Sequence, residues 1–268
     1  MTSFNPSDAI NPKIKEQILK TLDKIEEDHE VQILHAIESG SRAWGFHSPN
    51  SDYDVRFFYV HKRDWYLSIY PGRDVIEIPI DEVYDVSGWD LKKTLHLAMK
   101  SNAVVMEWLQ SPITYRTNDD FTKSLGAFCN GCFNEKALIY HYVNLGLRQN
   151  EQTWRTSDTT QIKKYFYMIR PAMALRWMQK NPDNLLVPMN IQELMGGAEV
   201  PSEIHLIMNE LIARKMQSEE KEMTQRVKEL DDFIFNEYEE AEKRALSLPS
   251  AQSKDNSKAD DVLRKWLS

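Results

Sequence analysis

Two short stretches carry residues able to do chemistry together: Gly40-Ser41 and, eleven residues after Ser41, Asp52-Tyr53-Asp54. A glycine at the end of a strand lets backbone approach a ligand closely, and a short helix starting there aims N–H groups and the Ser41 hydroxyl at an anion. Strand alternation places Asp52, Asp54 and Arg56 on one face, with Tyr53, Val55 and Phe57 on the other. Two carboxylates side by side repel unless something positive lies between them. A divalent cation meets that need, because Mg²⁺ prefers hard oxygen ligands and is commonly held by one or two carboxylates plus substrate phosphates. A phosphate binder and a metal binder on adjacent strands describe a site for a nucleoside triphosphate, with Arg42 adding a cation nearby. Arg56 either pairs with an aspartate or contacts a phosphate.

The elements that must position these residues are readable from periodicity. Pro12, Ile14, Ile18, Leu19, Leu22 and Ile25 have helical spacing, and residues 31–37 form a β-branched strand that runs into the glycine-serine pair. A second strand over 53–60 follows the turn signal of Pro49 and Asn50. Two shorter extended runs are expected at 74–80 and 82–86, with Gly88 preceding a helix. From Trp89 onward the period is helical, with long helices expected at 137–150, 161–180, 202–217 and 219–244. Residues 247–258 are rich in Ser, Lys and Asp and read as a linker. The expected architecture is α+β: a small mixed-sheet domain over 1–115, a helical bundle over 116–245, and a linker with a short terminal helix or tail over 246–268.

Composition narrows the function classes. The 268 residues include 33 Lys and Arg against 41 Asp and Glu, for a net charge of −8, so the overall field does not attract phosphate backbones. That argues against a non-specific nucleic-acid binder. No apolar run approaches membrane-spanning length and the start lacks a signal-peptide pattern, so a soluble, cytoplasmic protein is expected. Cys129 and Cys132 form a single C-x-x-C without the second ligand pair of a structural zinc site, and read as two reduced thiols.

With these residues in view, Gly40-Ser41-Arg42-Ala43-Trp44-Gly45 and Ser51-Asp52-Tyr53-Asp54 resemble the signature of the DNA polymerase β nucleotidyltransferase superfamily. The longer strings Ser51-Asp-Tyr-Asp-Val-Arg-Phe57, Ser87-Gly-Trp-Asp-Leu-Lys-Lys93 and Glu107-Trp-Leu-Gln-Ser-Pro112 are similar to the YcgL-like predicted nucleotidyltransferases, some of which carry an RNA-repair-pathway label. The resemblance covers residues 33–180 and implies a polymerase β-like palm domain. It implies transfer of a nucleoside monophosphate from an NTP, ATP being the expected one, to a hydroxyl acceptor that includes an RNA end. It also implies Mg²⁺ or Mn²⁺ held by three carboxylates. Asp52 and Asp54 match the first two. For the third we choose Asp85, because its extended run should lie beside the Asp-x-Asp strand. Asp81 is the fallback, with Glu82 and Glu77 as further candidates. Asp85 is then the candidate general base.

Gly40, Ser41 and Arg42 are the expected nucleotide contacts, joined by Lys93 from the first turns of its helix. The segment 163–170 is similar to a basic-aromatic stretch of the family, from which Lys164 would face the nucleotide. Trp44, beside the glycine-serine pair, would line the nucleotide pocket. The competing class is a non-catalytic NTP-binding regulator, as in toxin-neutralising relatives of the superfamily. It needs the pocket but not the carboxylates.

Overall fold

Segments of alternating burial pair into one five-stranded mixed sheet in a computed structural model that describes residues 6–70, 72–79, 83–148, 157–217, 222–249 and 256–267. The first helix, α1 (Pro12–His29), starts with a proline whose fixed φ suits that position. Its cap is Asn11, whose side chain accepts the Lys13 N–H at 2.9 Å. Strand β1 (Val31–Glu38) leads through the short α2 (Gly40–Trp44) to β2 (Tyr53–His61). After α3 (Arg63–Tyr66) come β3 (Val75–Glu77), β4 (Tyr84–Asp90), α4 (Leu91–Met99), α5 (Ala103–Leu109), β5 (Thr114–Thr117) and α6 (Asp119–Cys132). The spatial order is β3-β4-β2-β1-β5, and the fold is α+β, as expected from the sequence. β2 and β4 run parallel, whereas β1 with β2, β1 with β5 and β3 with β4 are antiparallel.

Each face of this sheet is covered differently. Ile18, Leu22 and Ile25 of α1 join Ile33, Val55, Phe57 and Val86 in one buried cluster. On the other face Phe58 packs against Trp108 and Phe121, with ring centroids 5.1 and 6.0 Å apart. Phe58 is fully buried while Asp54 and Arg56, earlier on the same face, are only partly so. The covered half of β2 therefore anchors the strand, and its opening residues reach an accessible edge.

Several elements differ from the expected ones for identifiable reasons. The extended run expected at 82–86 is β4, which continues through Gly88 to Asp90. Gly88 lies inside the strand because the Phe57 ring occupies the space a side chain would need. The helix starts only at Leu91, where Asp90 Oδ1 accepts the Lys92 N–H at 2.8 Å as its cap.

Packing divides the chain into two compact units: Met1–Ala43 with Asp52–Phe133 and Gln252–Ser268, and Trp44–Ser51 with Asn134–Ala251. This differs from the expected boundary at 115/116. In the first unit α6 is retained by burying Phe121 and Leu125, and Phe121 meets Trp266 of the terminal helix edge-on at 5.5 Å. Of the short helix or tail expected near the end, the structure has the helix, Asn256–Trp266, and it packs within the first unit.

In the second unit, α7 (Glu135–Val143) passes into a π-helical turn at Asn144–Arg148, and β6 (Thr159–Gln161) leads into α8 (Ile162–Lys180). Then follow α9 (Ile191–Gly197), α10 (Ser202–Gln217), β7 (Met223–Gln225) and α11 (Lys228–Ser247). The helix expected over 219–244 begins only at Lys228, because Met223–Gln225 pairs with β6 and the buried Thr224 hydroxyl accepts from Arg214 at 2.9 Å. Residues 44–51 belong to this unit, with Phe46 stacked on Phe166 at 4.2 Å. Among the described residues no helix is long and apolar enough to cross a membrane.

An added methyl at Gly88 would sit 2.1 Å from Phe57 Cε2, against a fully buried ring. Gly88→Ala is expected to lower unfolding stability by about 1–3 kcal/mol through overpacking. Denaturant titration followed by tryptophan fluorescence checks this, and an unchanged midpoint would contradict the packing described.

Candidate active site

The site begins where β1 stops pairing. Ser39 N–H donates to Asp54 O at 2.7 Å, and the chain then turns at Gly40, which adopts the left-handed φ of +61°. A side chain at Gly40 would be strained by that φ, and its Cβ would lie 1.9 Å from Asp54 Oδ2. Glycine is thus required twice: for the turn, and for the approach of the Asp54 carboxyl group to the backbone. Because the turn removes the next β1 backbone partner, the Asp54 N–H donates instead to Glu38 Oε1 at 3.0 Å.

Across β2 and β4, parallel pairing sets Asp54 directly opposite Asp85. Side chains directly opposite on one sheet face are close enough for like charges to destabilise the pair. Arg56, two residues along β2, resolves this. Its Nη2 donates to Asp54 Oδ1 at 3.2 Å and to Asp85 Oδ2 at 2.6 Å, and its Nη1 donates to Asp85 O at 2.7 Å and Val55 O at 3.0 Å. The three side chains keep 17–29% of their exposure, so the cluster is held by the protein yet open to solutes.

Asp52 lies at the mouth of β2, half-exposed, and Ser41 is half-exposed on α2. Among the described residues neither the Asp52 carboxylate nor the Ser41 hydroxyl has a hydrogen-bond or ion-pair partner. Arg42 is buried instead of facing a ligand. Its Nε donates to Asp52 O at 3.0 Å, its Nη1 to Ala9 O at 2.8 Å, and its guanidinium lies 3.8 Å over the Tyr53 ring. It fixes the backbone of Asp52.

The structure brings Gly40, Asp54 and Asp85 together but not Lys93. Lys93 follows the far end of β4, about 16 Å along the strand from Asp85 at some 3.3 Å per residue. There it pairs with Asp74 at 3.2 Å. Lys164 is exposed on α8. Glu77 is exposed and paired with Arg73, while the fallback carboxylates Asp81 and Glu82 lie outside the described residues. Trp44 packs against Phe46, Tyr167 and Arg170. Cys129 is buried, and the Cys132 thiol points at Ala98 O at 3.4 Å.

Sequence reasoning missed Glu38 and Tyr115. Glu38 is fully buried, and its Oε2 accepts from the Tyr115 hydroxyl at 2.5 Å. Burial pushes its carboxyl up to about 8, opposed by the hydrogen bonds from Tyr115 and from the Asp54 N–H. The one signal is an acid at the end of a largely apolar strand, just before the glycine-serine pair.

The donor chemistry fits Mg²⁺ held by one or two carboxylates plus substrate phosphates. Asp52 is uncommitted, and Asp54 and Asp85 share a face. The site is not a dedicated protein cage, since among the described residues no three His, Cys, Asp or Glu side chains converge on one point.

Comparison with known proteins follows the same lines. The model of the RNA repair pathway DNA polymerase beta family matches residues 14–265. The chain is also 40% identical over 242 residues to the "Uncharacterized protein YcgL" of Bacillus subtilis (strain 168), covering 90% of this chain and 92% of that protein.

Glu38 makes stability depend on pH with a defined sign. Unfolded, its carboxyl releases a proton near its ordinary value of 4.5, whereas in the folded state it keeps it to about 8. Stability contributed here therefore falls as pH rises from 4.5 to 8. His35, held down to about 4 by burial, acts oppositely between 4 and 6.5 and is common to wild type and variant. The unfolding free energy of wild type relative to Glu38→Gln is expected to decrease from pH 5 to pH 8 in urea titrations. A constant difference would show that Glu38 titrates as an ordinary carboxylate.

Proposed function

The chain belongs to the RNA repair pathway DNA polymerase beta family, and on that premise we propose that it transfers a nucleoside monophosphate from an NTP to a hydroxyl acceptor and releases pyrophosphate. The observation that carries the reading is the pairing of Asp54 with Asp85 on adjacent parallel strands, bridged by Arg56 and pressed against Gly40.

In the proposed reaction the acceptor oxygen attacks the α-phosphorus, and the bond from that phosphorus to the bridging oxygen of the β-phosphate breaks. Asp85 takes the acceptor's proton. Asp54 and Asp85, joined by Asp52 from the mouth of β2 and by phosphate oxygens of the NTP, would hold Mg²⁺ or Mn²⁺, which when bound supplies charge stabilisation at the phosphoryl oxygens. Ser41 offers its hydroxyl to a phosphate, beside the close backbone approach that Gly40 permits. Arg56 neutralises the facing carboxylates when no other cation does so, and Arg42 holds the Asp52 backbone in place.

ATP is the proposed nucleotide and an RNA end the proposed acceptor, the latter in keeping with the family's description. The net charge of −8 means that RNA would be met by a local basic surface against the overall field.

Incubation with each α-³²P-labelled NTP, Mg²⁺ or Mn²⁺, and total RNA or total protein tests this. Wild type is expected to label one acceptor pool. Asp54→Asn and Asp85→Asn are each expected to lower the rate by at least about a hundredfold, the loss of several kcal/mol of transition-state stabilisation. Metal-dependent NTP binding without transfer to any pool would overturn the enzyme reading in favour of a nucleotide-binding regulator.

A further inference from the structure

Glu38 is a costly residue to bury. A carboxyl group with no solvent contact is destabilising unless its oxygens are hydrogen-bonded, and an apolar side chain would suit the end of β1 without that cost. Here both oxygens are used. Oε1 accepts the Asp54 N–H at 3.0 Å and Oε2 accepts the Tyr115 hydroxyl at 2.5 Å, the tyrosine being itself buried. The Glu38 backbone is locked as well, with its N–H donating to Ile113 O at 3.0 Å and its carbonyl accepting from Ser111 Oγ at 2.6 Å. Glu38 is thus fixed from three directions, and its one remaining side-chain contact is the main chain of Asp54.

That contact has a geometric purpose. The last β1–β2 ladder bond is Ser39 N–H to Asp54 O, and Gly40 then turns β1 away. Where β1 has turned away, the Glu38 side chain supplies the acceptor for the Asp54 N–H at 3.0 Å. With it, Asp54 is held at both backbone groups while its carboxylate rests on Gly40 and Arg56. We infer that Tyr115 and Glu38 form a buried hydrogen-bonded brace that sets the orientation of the Asp54 carboxylate, making Glu38 a positioning residue for cation binding at the site. This rests on the nucleotidyltransferase reading only in taking Asp54 as a cation ligand.

Groups that orient a metal-binding carboxylate typically change metal affinity 10- to 100-fold when removed. The test is Mn²⁺ binding to the full chain, followed by the loss of the free-ion EPR signal, for wild type, Glu38→Ala, Glu38→Gln, Tyr115→Phe and Asp54→Asn, each checked for a cooperative melt. Glu38→Ala is expected to weaken Mn²⁺ binding about tenfold or more. Glu38→Gln retains an acceptor for the Asp54 N–H and is expected to restore binding to within about threefold of wild type, a rescue that loss of packing alone would not produce. If Glu38→Ala does not fold, Tyr115→Phe decides, with a several-fold weakening expected. Binding weakened by Asp54→Asn but unchanged in folded Glu38→Ala, or in Tyr115→Phe, overturns this inference alone. A wild type that binds no Mn²⁺, or binds it equally after Asp54→Asn, overturns it together with the proposed cation site.

Discussion

Two carboxylates set opposite each other on neighbouring strands raise each other's energy, and the Arg56 guanidinium is what allows Asp54 and Asp85 to share one sheet face. Much of the first unit follows from that constraint. The two aspartates come into register on strands that run parallel, and parallel neighbours need a crossover. The intervening chain supplies it through α3 and β3, the latter closing the sheet beyond β4. Anchoring β2 deeply enough to fix the register falls to Tyr53, Val55 and Phe57 on one face and Phe58 on the other, while Asp54 and Arg56 remain partly accessible. Stability and reactivity are thus separated along a single strand.

The glycine-serine turn meets this arrangement from the other side. Gly40 leaves room for the Asp54 carboxyl group, and Glu38 replaces the backbone partner that the turn removes. Arg42 lies on the buried side of α2 and ties the start of β2 to Ala9. It does so through main-chain carbonyls, so its charge holds backbone in place. The residues between the two motif halves, Trp44–Ser51, pack in the helical unit, and Asp52 follows them directly in sequence.

How much of this was legible depended on the range of the contacts. The alternation in 53–60 and the spacing between Gly40 and Asp54 are local, and so the strand, its exposed face and Arg56 beside the aspartates were readable directly. Asp85 was reached through the resemblance and the expectation of an adjacent strand, and the observed register places it opposite Asp54. Glu38 has no local signal of its role because its partner Tyr115 is 77 residues away, on a short strand that periodicity does not reveal. Lys93 and Arg42 are cations near the motif strings, and charge alone does not reveal whether a cation is already engaged. Lys93 has Asp74, and Arg42 is held by Asp52 O, Ala9 O and the Tyr53 ring. Gly88 read as punctuation before a helix, whereas its purpose is to admit the Phe57 ring from the neighbouring strand.

We propose that Asp52, Asp54 and Asp85 gather a divalent cation, and that Arg56, bonded to Asp54 and Asp85, yields to it. It is tested most directly by a crystal structure grown with Mn²⁺ and a non-hydrolysable NTP, with data collected at the manganese edge. The account predicts anomalous density at these aspartates and an Arg56 guanidinium that has left at least one of its two carboxylates. Manganese bound elsewhere, or an unbroken Arg56 bridge with nucleotide and no metal beside Asp54, would contradict it.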